Sequence, residues 1–186
     1  DTKISEDQLI KEIDYLQKKS TFPIWLYNNI LRGKELSYNL LKRVCNFENI
    51  HGVKYGAKNH LEYIRVTSLH KKTFQVLSAG NFFLGNLFYG CDAGTSSEAN
   101  CWPELYIKIY NLFKKKKFKN AIKLQNNLIE LSKSIPKTNN GENSAEEKFI
   151  LSIKGICKPY VNNMYRMYSE KEKRNCKKVI KKYKVI

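Results

Sequence analysis

Two residues of this chain have the type and the setting for covalent carbonyl chemistry. Lys54 ends the run Ile50-His51-Gly52-Val53-Lys54, and Tyr27 lies in Leu26-Tyr27-Asn28, 27 residues earlier. Lys54 closes an apolar run, which places its ammonium at the mouth of a buried strand and not on a solvated face. An ordinary lysine has a pKa of about 10.4, so roughly one molecule in a thousand carries a free amine near neutral pH. Burial disfavours the charged form and can lower that pKa by about 3 units, giving an amine able to form a Schiff base. Of the 29 lysines, this is the one whose surroundings suggest chemistry. A tyrosine hydroxyl beside it is a proton donor and relay for making and breaking the imine. Taken singly, one tyrosine among 12 reads as a strand-end aromatic; the pairing with Lys54 gives Tyr27 its role.

The elements that must position the pair alternate along the chain. Pro23 to Tyr27 reads as a strand and Ser37 to Cys45 as a helix; Ile50 to Lys54 is a strand, with a helix from about Lys58 to Leu69. Phe74 to Ser78 is a strand before a helix over Phe82 to Tyr89, and Cys91 to Ser96 is a weaker strand before a helix from Pro103 to about Lys114. Helix starts are signalled where Ser5, Ser144 and Ser169 each stand three residues before Gln8, Glu147 and Glu172, the spacing of a capping box. Beyond Pro103 the chain is helical, with apolar residues from Phe118 to Leu131 at helical spacing, a polar loop over Thr138 to Asn143 and two capped helices at the end. Four strand-then-helix units in series specify a parallel sheet with covering helices. They amount to half of a (β/α)8 barrel, which takes about 250 residues. An open doubly wound sheet fits the same pattern but would carry a glycine-rich phosphate turn, and none occurs. In a barrel strand alternate residues face the interior, so Ile50, Gly52 and Lys54 share one face, as do Pro23, Trp25 and Tyr27. Lys54 and Tyr27 then end neighbouring strands on the C-terminal rim, where catalytic groups of such barrels lie.

Composition sets the outer bounds. At 186 residues, 42% hydrophobic and 27% charged, the chain describes a globular protein with one good core. No run is long and apolar enough to span a membrane, and the polar, acidic start at Asp1 carries no signal-peptide pattern. The net charge of +17 invites a nucleic-acid reading, yet 29 of the 34 basic residues are lysine, beside 19 asparagines. Nucleic-acid sites favour the planar fork of arginine, so the charge is read as a solvated basic surface and no nucleic-acid partner is expected. Five cysteines with no Cys-x-x-Cys pair and three scattered histidines specify neither a disulfide framework nor a metal site. A reducing cytoplasm is the plain expectation.

The sequence resembles the pyruvate-dependent class I aldolases that include dihydrodipicolinate synthase and N-acetylneuraminate lyase. The stretch Phe22 to Asn29 is similar to the family's fifth strand with its Tyr-Asn signature, and Asn49 to Lys54 to the sixth, whose lysine forms the imine with pyruvate. Val76 to Ser78 resembles the end of the seventh strand. Gly90 to Asn100, followed by Pro103-Glu104-Leu105, resembles the eighth. Ala121 to Leu131 and Lys158 to Ser169 match later helical and Pro-containing segments, and all six pieces fall in the family's order.

The resemblance implies the C-terminal half of a TIM barrel, with residues 1–134 running from the helix before strand five through the helices after strand eight, and residues 135–186 as an added helical segment. It implies Lys54 as the Schiff-base residue and Tyr27 as the catalytic tyrosine, with no cofactor beyond the covalent imine itself. Arg32 falls where the dihydrodipicolinate synthase branch places an arginine for the second substrate's carboxylate; without that branch it reads as a solvated loop arginine. Ser78, Thr95 and Ser97 lie where backbone and hydroxyl groups line the pyruvate pocket. The implied partners are pyruvate, an aldehyde-type or keto-acid substrate, and either further copies in a homotetramer or an N-terminal half carrying the first four units. Ile30 and Gly33 replace a proline and a hydroxylated residue of the family, and Gly56-Ala57 replaces small, often hydroxylated residues after the lysine. Ala79-Gly80-Asn81 lacks the acidic pair that suits a sialic-acid tail, and Arg32 tips the choice toward a synthase-like enzyme over a sialic-acid lyase. These departures, with the first four units absent, keep two alternatives: an N-acetylneuraminate lyase-type carbon-carbon lyase, and a non-catalytic assembly subunit with a half-barrel.

Overall fold

The structure, a computed structural model, describes residues 4–29, 33–56, 59–80, 82–139 and 144–184. Its first helix, α1 (Glu6–Lys19), starts where the Ser5 hydroxyl accepts a hydrogen bond from the Gln8 amide at 3.1 Å. Glu6 and Asp7 occupy its first turn and Lys18 and Lys19 its last, each sign at the helix end whose dipole attracts it. Four parallel strands follow, β1 (Ile24–Asn28), β2 (Ile50–Tyr55), β3 (Gln75–Ala79) and β4 (Ala93–Thr95), in the spatial order β1-β2-β3-β4. Between them lie α2 (Tyr38–Val44), α3 (His60–Thr67) and α4 (Phe83–Phe88). A strand order that never reverses has no switch point, which sets this sheet apart from the doubly wound alternative.

Parallel strands need a crossover, and the apolar faces of the crossover helices bury one face of the sheet. Val53, Tyr55 and Val76 are buried on that side, as are Leu40, Leu41 and Val44 of α2, Tyr63 and Val66 of α3, and Phe83, Leu84 and Leu87 of α4. Each such aliphatic or aromatic side chain contributes about 1.5–3 kcal/mol when fully buried. At the N-terminal end of the sheet, Asn49 fastens α1 to β1: its side-chain amide donates to the carbonyls of Ser20 at 3.0 Å and Phe22 at 2.9 Å.

The expected strand over Cys91 to Ser96 shortens to the three residues of β4. Asp92 is the cause. Its carboxylate accepts the Val76 amide at 2.9 Å while its own amide donates to the Val76 carbonyl at 3.0 Å, so a side chain takes the place of a ladder bond. The helix expected from about Lys58 begins at His60, capped by Asn59, whose Oδ1 accepts the Glu62 amide at 2.9 Å.

The chain divides into two compact units, Asp1–Thr95 and Ser96–Ile186. The second is helical: a 3-10 turn over Ser97–Asn100, then α5 (Pro103–Lys114), α6 (Phe118–Ser134), α7 (Ser144–Ile153) and α8 (Glu170–Tyr183). Its core gathers Trp102, Ile109, Leu128, Leu131, Phe149, Ile150, Cys176 and Ile180. The capping box at Ser169 forms in both directions, with the Ser169 hydroxyl accepting from the Glu172 amide and the Glu172 carboxylate accepting from the Ser169 amide. α7 begins at Ser144 itself. Among the described residues no helix is long and apolar enough to cross a membrane, and no group of His, Cys, Asp and Glu could hold a metal ion.

Candidate active site

The strand register decides which side chains can meet. In a parallel pair the residues directly opposite share a face, so Tyr27, Lys54, Leu77 and Ala93 form one row across the C-terminal part of the sheet. One layer below, toward the strand starts, lie Trp25, Gly52 and Gln75; one layer above, Ala79 pairs with Thr95. This face carries exposed aromatic surface, with Trp25 40% and Tyr27 54% exposed. A register irregularity falls between Ile24 and Trp25. Ile50 aligns with Ile24, and Gly52 with Trp25, so the pairing of β1 with β2 skips His51 below the Lys54 row.

Lys54 is half-buried, with its Nζ 4.2 Å from the centre of the Tyr27 ring. The ammonium therefore meets the negative face of the ring, an attraction of about 0.5–2 kcal/mol depending on desolvation. Thr95 closes β4 above this row, where its hydroxyl donates to the Ser78 carbonyl at 3.4 Å and its own carbonyl accepts the Gly80 amide at 3.0 Å.

Ser78 pairs with Tyr55 and Gly94, which puts its side chain on the helix-covered face, opposite Lys54. Its hydroxyl is fully buried, makes no hydrogen bond of good geometry, and lies among the Tyr63 hydroxyl and the Cys91 thiol. Burial pushes both of those groups above their ordinary pKa values, so they stay protonated. Gly94 leaves the room that Ser78 uses, since a Cβ there would stand 2.6 Å from the Ser78 hydroxyl. Only the backbone of Ser78 is left for the Lys54 side. Ser97 belongs to the second unit, where its hydroxyl partners the Glu147 carboxylate. Arg32 lies outside the described residues.

The structure also brings forward residues that the sequence reading left without a role. Trp25 lies across Gly52 beneath the Lys54 row. Asn28, only 2% exposed, donates its side-chain amide to the Gly56 carbonyl at 2.9 Å and accepts the Leu36 amide at 2.9 Å. An asparagine directly after Tyr27 at a strand end was the available signal for it.

A lysine and a tyrosine at the ends of neighbouring parallel strands, on one face, can serve a carbonyl compound approaching that rim. A DapA-like lyase of Thermococcus kodakarensis is 32% identical over 136 residues, which is 70% of this chain and 46% of that protein. A second, from Thermococcus onnurineus, is 27% identical over 184 residues, covering 96% of this chain and 62% of the relative. The chain thus spans between about half and three-fifths of the length of these relatives. In fold, dihydrodipicolinate synthase from Bacteroides thetaiotaomicron superposes with a TM-score of 0.87 at 22% identity, covering 97% of this chain and 63% of that one. The dihydrodipicolinate synthetase family model matches residues 2–183, which takes in β1 with Tyr27 and β2 with Lys54, and the chain belongs to that family.

Proposed function

We propose that this chain carries the imine-forming part of a pyruvate-dependent class I aldolase or lyase of the dihydrodipicolinate synthase type. The observation that supports it is the placement of Tyr27 and Lys54 at the ends of β1 and β2, on one face, with the amine 4.2 Å from the ring centre. In this reading the neutral Lys54 amine attacks the keto carbon of pyruvate. A proton supplied through Tyr27 lets the carbinolamine lose water, leaving the imine. Removal of a proton from the adjacent methyl carbon gives the enamine, whose carbon adds to an aldehyde-type or keto-acid partner, and water then releases the product and restores the amine. Thr95 and the backbone of Ser78 line the pyruvate site, and Arg32 takes the second substrate's carboxylate. No cofactor takes part.

The working enzyme is a complete (β/α)8 barrel, with residues 1–134 as one half and residues 135–186 as an added helical segment, assembled as a homo-oligomer in the cytoplasm. Five free cysteines agree with a reducing compartment.

The test is borohydride trapping in the presence of pyruvate, with mass spectrometry of the peptide that carries Lys54. An adduct at Lys54 that disappears in Lys54→Ala supports the reading. An adduct on other lysines alone, or none when the remaining barrel strands are supplied, overturns it in favour of a non-catalytic subunit.

A further inference from the structure

We propose that Asn28 is a positioning residue for the Lys54 amine, acting from the opposite face of the sheet. Its catalytic consequence rests on the imine reading above; its structural part stands without it.

The end of β1 is unusual in its bonding. The Asn29 amide turns back to the Tyr27 carbonyl at 3.1 Å, which ends the backbone ladder of β1. Two residues beyond Lys54, the Gly56 carbonyl receives its donor from the Asn28 side chain at 2.9 Å. The same side chain accepts the Leu36 amide at 2.9 Å, fastening the segment that leads into α2. One buried amide thus ties together the strand end that carries Tyr27, the strand end that carries Lys54, and the start of the next crossover. Asn28 pairs with Tyr55 in the register, on the face away from Lys54, so it touches neither the amine nor anything bound to it. It acts by fixing where the two strand ends lie, and with them the distance between the Tyr27 ring and Lys54 Nζ.

The geometry needs a donor and an acceptor on one short side chain. A carboxylate supplies the acceptor for Leu36 but sets a negative oxygen against the Gly56 carbonyl. Once protonated, a carboxyl again offers one O–H and one carbonyl oxygen and can restore both bonds. Burial raises a carboxyl pKa, so in Asn28→Asp the recovery falls in an accessible range, between about pH 8 and about pH 5.

The readout is the resonance of Lys54 in protein whose lysines carry 13C-methyl groups, assigned by its absence in Lys54→Arg. A methylated ammonium over the Tyr27 ring is displaced upfield by the ring current, and Tyr27→Leu removes that displacement. In Asn28→Ala most of the displacement is expected to be lost at every pH; in Asn28→Asp it is lost near pH 8 and recovered toward pH 5. Pyruvate trapping at Lys54 is expected to slow about ten- to a hundredfold in Asn28→Ala and to recover with pH in Asn28→Asp. If Asn28→Asp does not fold, Asn28→Ser, with a single hydroxyl at the site, is expected to lose part of the displacement. A displacement unchanged in every folded variant overturns the positioning role. A displacement that responds while even the wild-type chain traps no pyruvate overturns the imine reading and leaves the positioning role in place.

Discussion

Trp25 lies across Gly52, with the ring of one strand resting on the backbone of the next. A Cβ on Gly52 would stand 2.5 Å from Trp25 Cζ3 and 2.5 Å from the Gln75 carbonyl oxygen, so no side chain fits there without moving backbone. The pair forms the layer beneath Tyr27 and Lys54. Gly52→Ala is therefore expected to destabilise the protein by about 1–3 kcal/mol, the range for overpacking a fitted site. It should also lift the Trp25 ring, seen as increased quenching of its emission by acrylamide, to which the buried Trp102 is insensitive. An unchanged Tm together with unchanged quenching would show that the ring is not held against Gly52.

Ser78 and Thr95 separate the two faces of the sheet by experiment. The buried Ser78 hydroxyl lacks a hydrogen bond of good geometry, so Ser78→Ala should be neutral or stabilising by up to about 1 kcal/mol and should leave pyruvate trapping at Lys54 unchanged. Thr95 ends β4 on the Lys54 side and spends its hydroxyl on the Ser78 carbonyl. Thr95→Val keeps the shape and removes that hydroxyl, and is expected to raise the pyruvate concentration needed for trapping about tenfold. Equal effects of the two variants would show that the register does not divide the site as described.

That division marks the boundary of what the sequence makes legible. The strands were readable because each is a short apolar run between turn or cap residues, and the positions of Tyr27 and Lys54 at strand ends followed from it. The face of Ser78 was not readable, because it depends on how β3 pairs with β2 and not on any feature of Val76-Leu77-Ser78 itself. The irregularity beside Ile24 was hidden for a similar reason: it lies in the pairing of β1 with β2 and not in the residues of either strand. β4 came out short because Asp92 bonds the backbone of Val76, 16 residues away. Asn28 bonds partners 8 and 28 residues distant, so no local pattern could assign its work.

Glu172 gives the second unit a defined response to acid. Arg166 donates two hydrogen bonds to its carboxylate, each 2.8 Å, and Ser169 adds its hydroxyl and amide. The Arg166 hydrogen bond is the largest cause holding this carboxyl down at about 2, against an ordinary 4.5. A folded value below the unfolded one contributes stability that is present above 4.5 and lost as pH falls toward 2. Glu172→Gln should remove that slope while retaining the helix cap, whereas Ser169→Ala should lower stability by about 1 kcal/mol at neutral pH. Urea midpoints measured across this acid range check both; a slope that survives in Glu172→Gln would assign it to another carboxylate.

Glu147 has the opposite sign. Burial is the largest cause raising its carboxyl above 4.5; Glu98 and Glu146 add to the rise, while the Ser97 hydrogen bond and Lys137 oppose it. Oxygens of Glu98, Glu146 and Glu147 are each buried without a hydrogen bond of their own, so ionising Glu147 adds charge where nothing neutralises it well. A folded value above the unfolded one contributes stability that is full below 4.5 and is lost as pH rises through the folded value. Glu147→Gln keeps a side chain that Ser97 can bond and removes the charge. The substitution should therefore stabilise the protein at about pH 8, by about 1 kcal/mol or less given its partial exposure, and make no difference at about pH 4. Paired urea midpoints at the two values decide it: a gain of equal size at both would trace the effect to packing, and a loss at the higher value would mean that the ionised carboxylate is held by a cation after all.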